Sequence, residues 1–358
     1  MKYKKIFLIL FIFISIKISL ENDNDKLKRR QKKAKERKRQ KLEEKFEEEK
    51  GEENKITCSC YRKRPLKLFK KNDGSEYSFE FDENGNIKGL IGAGATAKVF
   101  HAFSFEINKC VALKYFFQFS NDEYIKEINF YKIFMKKAGK QNSVQNIIHE
   151  INHNDEKFEI VMEIGGMDIR EYIESKRLKS SKSLFLNEVC IQAAHIISAI
   201  SNFHKIAVHM DLKPQNIIII NDKPRLADFG FSKIKSLINE KDNSNYGTFQ
   251  FMSPELAKDG LRIEYATKAD IWAFGVILFQ MLFGFDKYPY IVMDDIFQQI
   301  IFFNRQNWTG QVDYTNVLEE IKEYRKTNDL IDELLKIIEK IHMNVLKVKK
   351  SSSHCRHC

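Results

Sequence analysis

Two short motifs within residues 209–230 constrain this chain more than any other part of it. The first is His-Met-Asp-Leu-Lys-Pro-Gln-Asn at 209–216, and the second is Asp-Phe-Gly at 228–230. In the first motif, Asp211 can accept the proton of a hydroxyl group, and the amine of Lys213 can reach a phosphate. An acid and an amine placed this close together favour the transfer of a phosphoryl group to a hydroxyl.

Asn216 and Asp228 end and begin these two motifs, and they supply the hard oxygen ligands that Mg²⁺ prefers. Residues 217–220 are four isoleucines, and residues 225–227 are Arg-Leu-Ala, so both segments predict short strands, with a turn at 221–222 between them. Such a hairpin would hold both ligands on rigid supports. The sequence therefore predicts a site for a magnesium-bound nucleotide.

A glycine-containing stretch occurs earlier, at residues 90–100, with the sequence Leu-Ile-Gly-Ala-Gly-Ala-Thr-Ala-Lys-Val-Phe. Gly92 and Gly94 lie between apolar strand residues, where backbone N–H groups can approach a phosphate closely. A glycine hairpin without a ligand would have the same pattern. This stretch therefore gains meaning only from the other motifs.

Lys114 ends the apolar segment Cys-Val-Ala-Leu-Lys at 110–114. A lysine at the end of a buried strand costs free energy unless it has a partner. The next helix is predicted to begin with the capping box Ser-Asn-Asp-Glu at 120–123. Because Glu127 lies beside the apolar face of that helix, we predict an ion pair between Glu127 and Lys114, with Glu123 as the alternative partner.

In their order and spacing, these motifs resemble the eukaryotic protein kinases, in particular the serine/threonine and dual-specificity types. The segment 111–114 is similar to the kinase Val-Ala-Ile-Lys strand. Residues 209–216 and 228–230 are similar to the catalytic loop and the metal loop. Met-Ser-Pro-Glu at 252–255 is similar to the kinase Ala-Pro-Glu motif. The resemblance covers residues 86–285.

The resemblance implies an α+β class fold, the bilobal protein-kinase fold, with a small β-rich N-lobe and a larger, mainly helical C-lobe. Asp270 matches the kinase aspartate that anchors the backbone of the catalytic loop. Lys213 together with Thr248 is the pairing associated with serine/threonine rather than tyrosine kinases. The implied boundaries are a kinase domain at 76–345, the N-lobe at 76–162, the hinge at 163–166 and the C-lobe at 167–345.

The resemblance also implies which residues act. Asp211 and Lys213 would be catalytic, and Asn216 and Asp228 would bind Mg²⁺. ATP would lie against Ile91, Gly92, Ala93, Gly94, Ala97, Val99, Ala112, Lys114, Glu127, Met162, Glu163, Ile164 and Asp168.

Three of these nucleotide-site residues have more specific expectations. Backbone groups of the hinge would bind adenine, and Met162 would lie at the back of the pocket. Asp168 would either face the ribose or form the N-cap of the following helix. Ala97 stands where the kinase glycine loop usually has a third glycine, a small steric change.

Met210 departs from the kinase pattern because an arginine usually precedes the catalytic aspartate. That arginine normally pairs with a phosphate on the activation loop, so its charge is missing here. We predict activity that does not require phosphorylation of this loop.

The N-terminal region carries targeting and charge signals. Residues 1–20 open with lysines followed by a short apolar run, which predicts a secretory signal peptide; an uncleaved anchor with a cytosolic kinase domain is the alternative. A charged segment at 21–75, disordered or a single helix, follows. Residues 26–41 carry eleven Lys/Arg and one Glu, which accounts for most of the formal net charge of +11. A basic Cys-His tail occupies 346–358.

The sequence therefore predicts an ATP- and Mg²⁺-dependent protein kinase that acts on serine and threonine hydroxyls of protein substrates. The alternative is a pseudokinase or scaffold that binds partners or nucleotide without efficient transfer. Specific nucleic-acid binding is not expected, although the block at 26–41 suits contact with an anionic surface. The leader predicts a secreted protein or one of the secretory pathway.

Overall fold

The computed structural model describes most of the chain from Ile87 onward and a few short strands before it. The leader predicted at 1–20 and the basic block at 26–41 lie outside the described residues, as does the end of the tail, so the expectations for them stay predictions. The described residues are 56–57, 65–66, 77–78, 80–81, 87–104, 107, 109–117, 121–139, 143–153, 157–238, 247–259, 266–290, 292, 298, 312–326 and 330–352.

The chain divides into two compact units, residues 1–88 with 103–108 and residues 89–102 with 109–358. The first unit contains only antiparallel strand pairs among its described residues. These are β1 (Ile56–Thr57) with β2 (Pro65–Leu66), β3 (Tyr77–Ser78) with residues 103–104, and β4 (Glu80–Phe81) with β5 (Ile87–Lys88).

An antiparallel sheet opens the second unit, and its central strand supports Lys114. The strands are β6 (Leu90–Ala93), β7 (Ala97–Ser104), β8 (Lys109–Phe116), β9 (Ile147–His153) and β10 (Lys157–Glu163), in the spatial order β6, β7, β8, β10, β9. Val111, Ala112 and Leu113 of β8 are buried, as a continuous apolar run predicts. Lys114 pairs across the sheet with Ile160 of β10, so its backbone is held in the interior of the sheet.

Helix α1 (Asn121–Ala138) packs against this sheet. Two acidic residues in its first turn and two lysines in its last turn favour the helix dipole. On its inner face, Tyr124 and Ile128 join an apolar cluster that includes Phe116, Ile160 and Met162. This packing fixes the rotation of the helix and therefore the position of Glu127.

The C-lobe contains most of the helices and is built around a helix that is buried on almost every side. Among the described residues, its helices are α2 (Ile169–Lys179), α3 (Lys182–Phe203), α4 (Pro254–Asp259), α5 (Ala266–Phe283), α6 (Leu318–Arg325) and α7 (Leu330–Ser352). Sixteen residues of α5 are buried. By length and composition α3 and α5 would pass as membrane spans, yet 56% and 83% of their most apolar windows are buried within the protein.

Short strands and turns connect these helices near the two motifs at 209–230. The predicted hairpin is present as β12 (Ile217–Ile220) and β13 (Lys223–Leu226), so its second strand begins two residues earlier than the sequence indicated. Asn221 and Asp222 both have positive φ, as the tight two-residue turn of a hairpin requires. A second pair joins β11 (Ala207–Val208) to β14 (Lys233–Ile234). Single 3₁₀ turns lie at Pro214–Asn216, Lys235–Leu237, Phe249–Phe251 and Thr315–Val317.

Arg177 of α2 satisfies the last carbonyl groups of α5. Its guanidinium donates to the carbonyls of Met281 and Leu282, each at 2.9 Å, and lies 4.4 Å from the centre of the Phe185 ring. Tyr324 of α6 also donates to the Leu282 carbonyl, at 3.2 Å. A buried helix end that would otherwise lack partners is thereby tied to two neighbouring helices.

Helix α7 packs on α5 through a close backbone approach at Gly275. A Cβ added there would lie 2.8 Å from both His342 Cε1 and Ile341 Cγ2, which is too close for non-bonded atoms. Glycine, which has no Cβ, avoids this clash. The His342 ring is fully buried and meets Trp272 edge-on, with centroids 4.5 Å apart. The backbone of the helix stays helical to Ser352.

Candidate active site

Lys114 lies between two carboxylates that come from different parts of the chain. Its Nζ is 2.6 Å from Glu127 Oε2 on α1 and 3.0 Å from Asp228 Oδ1. The predicted pair with Glu127 therefore forms, in preference to Glu123. A single amine thus ties the sheet, helix α1 and the Asp-Phe-Gly motif together.

The charges of this trio are set by burial and by one another. Burial lowers the pKa of Lys114, but Asp228 and Glu127 together raise it above its ordinary value. The Lys114 charge lowers the pKa of Asp228 to about 2, so Asp228 is ionised at neutral pH. Burial raises the pKa of Glu127, and the Lys114 charge offsets part of that rise. Lys114 is therefore a charged amine, presented next to an ionised carboxylate.

Asp211 is the centre of a hydrogen-bonded network in the catalytic loop. Its carboxylate accepts from Asn216 Nδ2 at 3.1 Å and from Thr248 Oγ1 at 2.8 Å, and Lys213 Nζ lies 2.9 Å away. Lys213 also donates to Thr248 Oγ1 at 3.1 Å. These donors fix the orientation of the Asp211 carboxylate and leave it as an acceptor, the state that taking up a hydroxyl proton requires.

Asp270 supports this loop from the buried helix α5. Its carboxylate accepts from the backbone N–H groups of His209 at 2.8 Å and of Met210 at 2.9 Å. The ring of His204 contacts the same carboxylate, 2.8 Å from Oδ2. Burial would raise the pKa of Asp270, but these polar partners hold it below its ordinary value. Met210 has a φ of 70°, a conformation that costs a residue with a side chain free energy. The hydrogen bonds to Asp270 help to hold the backbone in this conformation.

Phe229 of the Asp-Phe-Gly motif belongs to an aromatic cluster that joins α1 to the C-lobe. Its ring centroid lies 5.6 Å from Phe130 of α1, 5.8 Å from Phe203 of α3 and 5.8 Å from His209. Phe130 in turn contacts Phe203 at 6.0 Å. Sequence reasoning missed the phenylalanines at 130 and 203, whose contact depends on two helices distant in sequence. This cluster holds α1 where Glu127 reaches Lys114.

Six of the residues predicted to contact ATP lie in one apolar cluster. The structure places Ala97, Ala112 and Met162 in a buried cluster, with Ile91, Val99 and Ile164 packed against it. Between β6 and β7 the chain turns tightly, with Gly94 N–H donating to the Ala97 carbonyl at 2.9 Å. Gly92 and Ala93 pair with Val99 and Lys98 on either side of this turn.

The hinge at 163–166 is braced by side chains that the sequence did not single out. The Glu163 carboxylate accepts from Asn146 Nδ2 at 2.6 Å and from Arg225 at 2.7 Å. Its carbonyl accepts from Gln145 Nε2 at 2.7 Å. Asp168, for which two roles were predicted, is the N-cap of α2: its Oδ1 accepts from the Glu171 N–H at 2.8 Å.

Met210 lies in an apolar pocket in place of the expected arginine. It is buried together with Val208, Met252, Leu256, Ala266 and Ala269. The carbonyl of Met210 also faces Gly247, where an added Cβ would lie 2.5 Å from that oxygen and where φ is +72°. The loop that follows residue 246 is therefore joined to the catalytic loop by apolar packing and a close backbone contact.

The residues present suit a magnesium ion. Asp228 is ionised, and its side chain is 46% exposed, so a cation can approach it. Asn216 uses its amide nitrogen to bind Asp211, which leaves the amide oxygen as the end available to a metal. Among the described residues no cluster of three or more His, Cys, Asp or Glu forms a metal site. Two oxygen donors are nevertheless enough for Mg²⁺, which keeps several waters and binds substrate phosphates.

A family model described as protein kinase domain matches residues 86–352. The chain belongs to the protein kinase family. The two-lobed α+β kinase fold that the motifs predicted is therefore confirmed, with the sheet of β6–β10 in its N-lobe and the helices α2–α7 in its C-lobe.

Curated relatives of this kinase include bacterial and eukaryotic proteins. The chain is similar to serine/threonine-protein kinase PrkC of Bacillus subtilis (strain 168), 33% identical over 205 residues, which are 54% of this chain and 30% of PrkC. It is 28% identical over 209 residues to the probable serine/threonine-protein kinase mps1 of Dictyostelium discoideum, covering 56% of this chain and 21% of that protein. It is 25% identical over 248 residues to the dual specificity protein kinase TTK of Mus musculus, covering 64% and 28%. The chain thus spans less than a third of each relative.

Proposed function

We propose that this chain is an active protein kinase that transfers the γ-phosphoryl group of ATP to serine and threonine hydroxyls of protein substrates. One observation carries the proposal: Lys114 contacts Glu127 and Asp228 at once, while Asp211 is held by Asn216, Lys213 and Thr248. The groups that phosphoryl transfer needs are thus already arranged for it. A pseudokinase has no need of such an arrangement.

In the proposed reaction, the substrate hydroxyl oxygen forms a bond to the γ-phosphorus, and the bond from that phosphorus to the β,γ-bridging oxygen breaks. The hydroxyl proton passes to Asp211. Lys114 holds the phosphates of ATP, and Lys213 neutralises charge on the group in transfer. Asn216 and Asp228 would hold Mg²⁺, which when bound would neutralise negative charge on the phosphates. Most of the rate enhancement comes from positioning and from charge stabilisation.

Specificity for serine and threonine is supported by the contacts of Thr248. Its hydroxyl donates to Asp211 at 2.8 Å and accepts from Lys213 at 3.1 Å. This bridge lies beside the proposed base and joins the Lys213–Thr248 pairing that is associated with serine/threonine kinases. PrkC and mps1 are both named as serine/threonine-protein kinases, in agreement with this specificity, while TTK is named as a dual-specificity kinase.

A radiolabel experiment tests the proposal. Wild-type protein with Mg²⁺ and γ-labelled ATP is expected to label casein, and hydrolysis of the product should yield phosphoserine and phosphothreonine. Asp211→Asn keeps the shape of the side chain but removes the base, and it is expected to lower kcat about 10²-fold or more. The matched variant Asp222→Asn, in the exposed turn between β12 and β13, should retain wild-type activity. Equal labelling by wild type and Asp211→Asn would contradict the proposal and favour a pseudokinase.

Treatment with a phosphatase is expected to leave the activity of the purified kinase unchanged. The physical reason is that Met210 is packed with Met252 and Leu256, so the loop after residue 246 is held without a phosphate and without an arginine. The measurement is the initial rate before and after treatment, with mass spectrometry to verify that phosphate was removed. A loss of activity that ATP-dependent rephosphorylation restores would show this prediction to be wrong.

A further inference from the structure

The segment Gly247 to Ser253, here called the acceptor loop, borders the catalytic aspartate. Thr248 reaches Asp211 directly, and Gly247 lies against the Met210 carbonyl. A protein substrate that places its hydroxyl at Asp211 must therefore pass over this loop. The way the loop is held accordingly affects how a protein substrate binds.

Hydrogen bonds within the loop engage two of its carbonyls, and a neighbouring carbonyl accepts from a side chain outside the loop. The N–H of Phe251 donates to the Thr248 carbonyl at 2.9 Å, and the N–H of Met252 donates to the Phe249 carbonyl at 3.2 Å. The carbonyl between Phe249 and Phe251 in sequence, that of Gln250, accepts from the hydroxyl of Tyr290.

Tyr290 is fixed by the helical core. Only 4% of its surface is exposed. Its ring lies 5.5 Å from Trp272 of α5 and 6.4 Å from His342 of α7, centroid to centroid. A buried tyrosine usually needs a partner for its hydroxyl, and here the Gln250 carbonyl of the acceptor loop is one. Burial also raises the pKa of Tyr290, so its hydroxyl stays protonated and able to donate.

We propose that Tyr290 is a positioning residue for the protein substrate, acting through the Gln250 carbonyl. Its hydroxyl connects the rigid packing of α5 and α7 to the acceptor loop, so the loop is ordered before a substrate arrives. Tyr290 does not contact the reacting atoms, and it is not expected to affect the binding of ATP. This inference rests on the proposed kinase function.

The test is Tyr290→Phe, which removes the hydroxyl and keeps the ring. With casein as substrate, KM is expected to rise about ten-fold, a change that corresponds to the free energy of one lost hydrogen bond. KM for ATP should stay within about two-fold of wild type. The matched control is Tyr324→Phe. Tyr324 of α6 is likewise buried, and its hydroxyl likewise donates to a backbone carbonyl, that of Leu282 on α5 at 3.2 Å, which is not part of the acceptor loop. This control should leave KM for casein unchanged.

A second readout does not depend on catalysis. Hydrogen exchange at the amides of Phe251 and Met252, measured without substrate, should be faster in Tyr290→Phe than in wild type and unchanged in Tyr324→Phe. An unchanged KM for casein together with unchanged exchange in Tyr290→Phe would overturn the inference, as would equal effects of both variants. If wild type transfers no phosphate at all, the proposed function fails, and hydrogen exchange alone still decides whether Tyr290 orders the loop.

Discussion

Replacing Lys114 with methionine is expected to lower kcat/KM about 10³-fold, since a charged group that stabilises the transferring phosphates is removed. The same change should lower the free energy of unfolding by about 3 kcal/mol, because it removes one partner of a buried ion pair. Glu127 is only 2% exposed and would be left beside the Asp228 carboxylate with no cation between them. Its pKa, already raised by burial, would rise further, and it would take up a proton.

A double variant separates the catalytic effect from the structural one. Lys114→Met combined with Glu127→Gln removes the buried carboxyl group that the single change leaves without a cation beside it. We expect the double variant to regain most of the lost stability in urea unfolding while remaining catalytically inactive. The matched control is Lys182→Met, which breaks the 2.7 Å contact to Glu323 at the surface and should change little in either measurement.

Two results would contradict this account of Lys114. The first is a Lys114→Met protein with near wild-type kcat/KM, which would show that phosphoryl transfer does not use the amine. The second is a double variant no more stable than the single one, which would show that the loss of stability came from packing rather than from the Glu127 carboxyl group left without its cation.

Lowering the pH from 7 to 4 is expected to lower the free energy of unfolding by about 3 kcal/mol through His342 of α7 alone. Burial lowers the pKa of His342 from 6.5 to about 4, and its Nδ1 lies 2.9 Å from the Ile338 carbonyl. A histidine whose pKa is lowered on folding binds its proton more readily in the unfolded chain. The contribution of His342 to the free energy of unfolding is therefore full above pH 6.5 and falls as the pH drops towards 4. Below pH 4 it changes little.

The measurement is urea unfolding of wild type and His342→Asn at several pH values. The asparagine amide can stand in for Nδ1 but does not titrate, so the stability difference between the two proteins should shrink as the pH falls from 6.5 to 4. Trp272 and Tyr290 face the ring and do not gain or lose charge in this range. A difference that stays constant with pH would show that His342 is not the titrating group.

Sequence reasoning reached the parts of the site that depend on local chemistry. A lysine at the end of a buried strand needs a carboxylate partner. Glu127 could be predicted as that partner because it lies beside the apolar face of the next helix. Four consecutive isoleucines and a polar turn predict the β12–β13 hairpin. For Asp168 the local pattern allowed two roles, and the structure shows the N-cap contact to the Glu171 N–H.

Other features depend on contacts between residues far apart in the chain, where periodicity and motifs carry no information. Arg225 meets the Glu163 carboxylate across 62 positions, and the Tyr290 hydroxyl meets Gln250 across 40. The absence of an arginine at 210 was visible in the sequence. The apolar pocket that receives Met210 was not, because its buried members come from three separate segments.

The close approach of Gly275 to α7 has a consequence for comparing homologous kinases. A side chain at position 275 would meet both Ile341 and His342, so it is tolerated only with smaller residues at those two positions or with a displaced helix. Substitution at position 275 together with positions 341 and 342 would therefore mark which family members pack the last helix in this way. A comparison of any one of these positions alone would miss it.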